Sequence, residues 1–144
     1  MKSIWLLAVI LITSSAYGQT ADTPTVKPAQ PYLNRYNYNR FVPTGERRMI
    51  GFFGSIWPDC TSRGSVVGRI TTPPQHGVLE FTPLNSFPSV PATAPLAKCN
   101  ETKTPGQGVN YTSEPGYTGE DSADIFLMFP DGSAVEGHYT IIVR

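Results

Sequence analysis

Few residues in this chain are equipped for chemistry, and their spacing narrows what they could do. The acidic side chains crowd into one stretch. Glu114, Glu120, Asp121, Asp124, Asp131 and Glu136 all fall within residues 114–136, which hold no Lys or Arg. Carboxylate oxygens at that density suit a hard cation, so Glu120, Asp121 and Asp124 are the candidate calcium ligands. Calcium takes about six to eight converging oxygens, and the stretch has no EF-hand loop. Asp121 also reads as a turn residue that accepts backbone N–H bonds just before a strand. The expectation is a chain without a cofactor, with calcium at these three carboxylates as the alternative.

Catalysis has less to draw on. His76 and His138 are the only histidines. His76 sits in a Pro-Gly corner where packing is its expected work, and His138 opens the last strand facing outward. A Ser-His-Asp set can be drawn with Ser65 or Ser122, yet no strained nucleophile elbow or oxyanion hole is marked. Cys60 and Cys99 are the only cysteines. In an exported chain they are expected to pair, which removes a thiol nucleophile and leaves too few ligands for zinc. No enzymatic activity is expected.

Binding has two candidates. Residues 32–41, YLNRYNYNRF, interleave aromatics with Asn and Arg, and such groups can stack on sugars or bases. Docking on the domain as a first strand or arm is their expected role. Tyr32, Tyr36 and Tyr38, with Phe126 and Met128, form the candidate binding surface. The segment from Pro83 to Lys98, studded with Pro83, Pro88, Pro91 and Pro95, reads as a recognition loop tethered by Cys99 or as a solvated insertion. Eleven Lys and Arg balance eleven Asp and Glu, which argues against nucleic acid as partner and leaves a protein or a glycan.

The elements that must position these groups are mostly strands. Residues 1–18 have the pattern of a signal peptide: Lys2, an apolar run from Ile4 to Ile12, and small residues at Ala16 and Gly18. That run is too short to span a bilayer, which needs roughly 20 residues, and no later stretch is long and apolar enough. Residues 19–43 read as a Pro-, Tyr- and Asn-rich lead-in, flexible at first. Residues 44–144 read as one domain. Arg48 to Trp57, broken by Gly51 and Gly54, suits an edge strand with a bulge. Ser65 to Thr71, Gly77 to Phe81, Gly108 to Thr112, Asp124 to Phe129 and Glu136 to Arg144 follow as short strands. No regular element is expected to run through the proline segment. Pro130-Asp131-Gly132-Ser133 marks a hairpin turn between the last two strands. In these, Tyr139, Ile141 and Val143, with Ile125, Leu127 and Phe129, are expected inward. Phe126 and Met128 are expected outward, under the N-terminal arm. Asn100 and Asn110 each begin an N-x-T triplet.

Two motifs resemble those of bacterial Ig-like, cadherin-like repeats. Pro73-Pro74-Gln75-His76-Gly77-Val78-Leu79 is similar to the opening of such repeats. The run from Val109 to Ser122, with Tyr111, Pro115, Gly116, Tyr117, Gly119 and Asp121, is similar to their corner before a strand, a D-G turn and a last strand. The resemblance spans roughly the second half of the chain and departs at Ser113 and Ala123. It implies an Ig-like β-sandwich of about seven short antiparallel strands, here in a single exported copy with one disulfide. Related domains bind calcium between repeats. The implied role is binding or structural, in the cell envelope or outside the cell, with a calcium- or carbohydrate-binding adhesion domain as the alternative. The residues explain the motifs without the family. Gly77 lets the chain enter a strand from a Pro-fixed bend, and the Tyr117 hydroxyl can cap backbone groups at the corner.

Processing is directly readable. Secretion of the full chain is expected to yield a mature N-terminus at Gln19, measured by intact mass and Edman sequencing; a product retaining Met1 to Gly18 would remove the signal-peptide assignment.

Overall fold

A computed structural model describes residues 33–144. Residues 1–18, expected to be a signal peptide, most of the lead-in and Tyr32 lie outside the described residues. Seven strands follow in order: β1 Asn34–Val42, β2 Arg47–Gly54, β3 Val67–Thr72, β4 Gly77–Ser86, β5 Thr104–Ser113, β6 Gly119–Met128 and β7 Ala134–Val143. A single 3-10 turn, Ala97–Glu101, interrupts the strand series.

The strands form two sheets, ordered β1-β7-β6-β3 and β2-β5-β4. The second, fifth and fourth strands thus face the third, sixth and seventh, which is the partition of an immunoglobulin-type sandwich. β1 lies at the edge of the four-stranded sheet. It runs parallel to β7, from Asn34 opposite Val135 to Val42 opposite Val143. The other pairings are antiparallel. The body of the fold therefore begins about ten residues before the boundary at 44, and one pair departs from an all-antiparallel sandwich. The physical reason is the alternation in β1. Tyr36, Tyr38, Arg40 and Val42 share the inward face, and Val42 is buried with the core.

The core sits between the sheets. Ile125, Leu127, Tyr139, Ile141 and Val143 from one sheet meet Ile50, Leu79, Val109 and Tyr111 from the other. Phe129 packs at its margin, half-buried. Ala123 is small and lies opposite the large Tyr139. Pairing small with large lets the layers interdigitate. Tyr38 stacks on Tyr139 with ring centroids 4.9 Å apart and meets Phe53 edge-on. Gly51 is required here, because a Cβ would fall 2.3 Å from the Tyr139 hydroxyl.

Two expectations change. β4 does run through Pro83 and on to Ser86. It is an edge strand, and an edge position tolerates the missing N–H of proline. The N-terminal arm does not cover Phe126 and Met128, because it joins the sheet edge-on instead of crossing its outer face. The expected bulge in β2 is present, between Met49 and Gly51.

Cys60 and Cys99 are bonded, with Cα atoms 5.3 Å apart. Cys60 sits at the tip of a small hairpin closed by Trp57 N–H to the Thr61 carbonyl and Arg63 N–H to the Ser55 carbonyl. Its φ of 68° is left-handed, as a tight turn of this kind demands. Cys99 is fully buried in the 3-10 turn. The proline-rich segment between β4 and that turn is pinned a second time. Asn100 donates its amide to the Val90 carbonyl and accepts the Val90 N–H.

Replacing both cysteines by serine is expected to lower the unfolding free energy by about 2–4 kcal/mol, from the closure entropy of a loop this long. Urea denaturation reads it; a loss well under 1 kcal/mol would mean that the Asn100–Val90 clamp alone restrains the loop.

Candidate binding face and the corner that frames it

Asp121 organises the corner. It lies at the start of β6 on the inward face and is 4% exposed. One carboxylate oxygen accepts the Gln75 and Ser122 N–H groups at 2.9 and 2.8 Å. The other accepts the His76 N–H at 2.9 Å and the Tyr111 hydroxyl at 2.9 Å. The Pro74-Gln75-His76-Gly77 bend and the β5–β6 corner are thereby tied to one side chain. Around it, His76 stacks on Tyr117 with centroids 4.1 Å apart. The Tyr117 hydroxyl donates to the Glu120 carbonyl at 2.8 Å. Gly116 and Gly119 take positive φ, as the corner after Pro115 needs. Burial pushes the Asp121 carboxyl upward, but the N–H donors of Gln75 and His76, the Tyr111 hydroxyl and the Ser122 N–H outweigh it and hold it below the ordinary Asp value. Burial, then the bond to this carboxylate, pushes the Tyr111 phenol well above its usual value.

The candidate calcium ligands do not converge. Asp121 points inward with both oxygens committed. Glu120 and Asp124 point to the other face of β6, two pleats apart. Among the described residues, no group of three or more His, Cys, Asp or Glu side chains is placed to hold a metal ion.

The outer face of the four-stranded sheet gathers a different set. From β1 it takes Arg35, Asn37, Asn39 and Phe41, and from β7 Glu136, His138, Thr140 and Ile142. From β6 it takes Glu120, Ser122, Asp124, Phe126 and Met128, and from β3 Val67, Arg69 and Thr72. At its centre Asp124 accepts from Arg35 at 3.0 Å and lies 2.7 Å from Nδ1 of His138, both through the same oxygen. Burial raises the Asp124 carboxyl, but hydrogen bonds from His138 and Thr72 and the Arg35 charge more than offset it, so it stays ionised to lower pH than usual. A shallow cleft of about 210 Å³ opens beside it between Arg35, Thr72, Asp124 and Glu136. Phe126 lies on the same face with Arg69 and Glu136 as cross-strand neighbours, and Met128 follows between Val67 and Ala134.

The candidate surface of tyrosines and β6 apolar groups is therefore split. Phe126 and Met128 are on the outer face as expected. Tyr36 and Tyr38 are on the inward side of β1, where Tyr38 belongs to the core and Tyr36 remains half-exposed. Arg35, Asn37 and Asn39 take their place outside. Strict alternation along residues 34–42 was the signal that separates the two sets.

An Asp–His pair is the orienting half of a hydrolytic triad. Ser122 and Thr140 are the hydroxyls one pleat along, and neither is hydrogen-bonded to His138 among the described residues. Neither has left-handed backbone. What the face offers is a flat field of donors and acceptors with the Phe126 ring beside it and Phe41 at its edge.

The opposite end carries two further clefts, of about 380 and 280 Å³. The first lies between Ser62–Val66 and the ends of β4 and β5. The second lies between the Cys60 hairpin, the proline segment and the β6–β7 turn. Trp57 and Phe87 are half-exposed at this end. Both N-x-T asparagines are engaged, Asn100 with Val90 and Asn110, nearly buried, with Thr82.

Comparison with family models, with curated proteins and with solved structures finds no match to this chain.

Asp121→Asn is expected to destabilise the domain by about 3 kcal/mol, because an amide cannot accept from four donors at once. The folded carboxyl titrates below the value of about 3.9 for an unfolded Asp. Its contribution is therefore full above that pH and disappears as pH falls through the lower folded value. Urea melts from pH 7 down to pH 2 should show a steeper acid limb in the wild type than in the variant; parallel limbs would remove Asp121 from this role.

Proposed function

We propose that this chain is a non-enzymatic exported Ig-like module that acts by binding, and that the outer face of the β1-β7-β6-β3 sheet is its binding surface. The observation that carries the reading is the Arg35–Asp124–His138 set, hydrogen-bonded together beside Phe126 on a sheet face left uncovered among the described residues. Planar polar groups that already satisfy one another stay oriented without a ligand, which lowers the ordering cost of binding. Asn37, Asn39, Ser122 and Thr140 add neutral donors and acceptors around them. Hydroxyl-rich ligands need this combination of amide, carboxylate and guanidinium groups with an aromatic platform, so a glycan is the favoured ligand class. The export pattern and the disulfide support a site of action in the cell envelope or outside the cell. The two resembling motifs and the strand partition support the Ig-like assignment.

A second reading places recognition at the loop end, favoured by half-exposed Trp57 and Phe87 beside the two clefts. There a protein partner fits better, since aromatic anchors dominate protein interfaces.

One comparison separates them. The mature chain is applied to a glycan array and to envelope extracts, together with His138→Ala, Phe126→Ser, Trp57→Ala and, as a control on the other sheet, Val78→Asp. Loss of glycan signal in the first two only, by roughly tenfold or more, supports the sheet face. Loss in Trp57→Ala only moves the site to the loop end. Wild-type signal in all four would dismiss both surfaces.

A further inference from the structure

A sheet edge is a row of unpaired backbone groups that invites another strand, and proteins usually blunt it. Three of the four edges here are blunted. β4 contains Pro83. β3 has six residues and a register shift between Ile70 and Thr72. β2 has the Met49–Gly51 bulge, and the Arg40 guanidinium occupies the Ile50 carbonyl. β1 is different. Its nine residues keep unbroken register with β7, contain no proline, and have no strand on their other side among the described residues.

The free groups of β1 can be identified. The Val42 carbonyl accepts the Arg144 N–H and the Thr44 N–H donates to the Arg144 carbonyl. Even-numbered residues therefore spend their backbone groups on β7. The N–H and C=O groups of Arg35, Asn37, Asn39 and Phe41 point away from the sheet. The Asn39 carbonyl receives Arg40 at 2.8 Å, and its second lone pair stays available.

We propose that β1 pairs antiparallel with β1 of a second copy across a two-fold axis at Tyr38, joining two four-stranded sheets into one. The order of residues in the strand selects this partner and this register. Arg35 falls opposite Phe41 of the other copy, and Tyr36 opposite its Arg40. Asn37 falls opposite Asn39, and Tyr38 opposite itself. On the outer face Arg35 meets the Phe41 ring, a favourable cross-strand pair, and each amide meets an amide; Arg40 keeps its own place over the Tyr38 ring. Phe41, 67% exposed, is the most exposed of the large apolar side chains among the described residues; Arg144 lies over its ring at 5.2 Å, and this pairing adds a second neighbour along the edge. The pairs Arg35–Phe41 and Asn37–Asn39 are those whose free backbone groups face outward, so each exchanges both N–H···O bonds. A slip of one residue fails twice. It sets Arg35 opposite Arg40, with like charges in direct opposition, and matches outward-facing backbone with backbone already used by β7. An isologous pair of this kind closes on itself and does not propagate. It also sets two copies of the Arg35–Asp124–His138 face side by side, which would give a repeating ligand two points of attachment.

Sedimentation velocity of the mature chain over a wide concentration series tests this. The wild type is expected to pass reversibly from monomer to dimer. Asn39→Pro removes one outward N–H and leaves the β7 ladder intact. Phe41→Arg sets like charges opposite each other twice by symmetry, which should weaken the dimer by roughly tenfold or more. At concentrations where the wild type is monomeric both should melt with its midpoint, and the double variant Arg35→Glu/Phe41→Arg should restore the dimer by pairing opposite charges. A wild type that stays monomeric throughout, or a dimer unaffected by both Asn39→Pro and Phe41→Arg, overturns the proposal. Because association is read without any ligand, it can fail while the binding face stands, and the reverse.

Discussion

A carboxylate taken out of water has to be repaid by donors, and Asp121 shows what that requirement does to a small sandwich. Its oxygens accept from Gln75, His76, Ser122 and Tyr111. These residues belong to the bend before β4, to β5 and to β6, which lie in different sheets. No local element could satisfy the charge alone. The two sheets must come together in one register before the carboxylate is paid for, and once paired it holds them there. Hydrogen bonds to a charged group contribute about 1.5–3 kcal/mol each, and leaving such a group unsatisfied costs more. Gly77 belongs to the same constraint. A Cβ there would lie 2.5 Å from the Thr112 carbonyl and 2.7 Å from the Tyr111 ring, so the bend can approach only because glycine has none.

Much of the architecture was legible because its signals are local. Alternation in residues 136–144 and 124–129 places Tyr139, Ile141, Val143, Ile125 and Leu127 inward, and they are buried, while Phe129, expected with them, is half-buried. The Pro130–Ser133 turn, the β2 bulge and the cysteine pair were also readable from residue types. What was not legible depends on neighbours. Pro83 argues against a strand unless that strand is at an edge, and strand order is not written in any window. The lead-in reads as separate from the domain because Pro24, Pro28, Pro31 and Pro43 punctuate it, although residues 34–42 alternate as cleanly as any strand. Asp121 was recognised as a backbone acceptor, but its principal donors sit some 45 residues away in sequence.

The same alternation explains why the face was only half visible. Tyr36 and Tyr38 dominate residues 32–41 to the eye, and aromatics with Arg suggest a binding strip. Period two sends those tyrosines to the interior side and leaves Arg35, Asn37 and Asn39 outside. Asp124 and His138 are fourteen residues apart in sequence, yet directly opposite across the β6–β7 hairpin. Arg35 reaches them only because β1 is parallel to β7. An antiparallel β1 over the same span would put Phe41 in place of Arg35 opposite Glu136, so the polarity of one edge strand decides which chemistry the face carries.

That polarity has its own cause. β1 and β2 are joined by only four residues, Pro43 to Glu46, and they sit at neighbouring edges of opposite sheets. A link of this length could also close a hairpin, but here the anchoring of its two ends takes the chain from one layer to the other. Val42 enters the core beside Val143, and Thr44 and Gly45 are caught by the Arg144 carbonyl and the Ser113 hydroxyl. Gly45 takes a φ of 70° to make the corner. The crossing spends the even-numbered backbone groups of β1 on β7 and leaves the odd ones free. The exposed edge is thus a consequence of how the first strand is anchored, and the residues along it carry no proline, bulge or acidic side chain to close it.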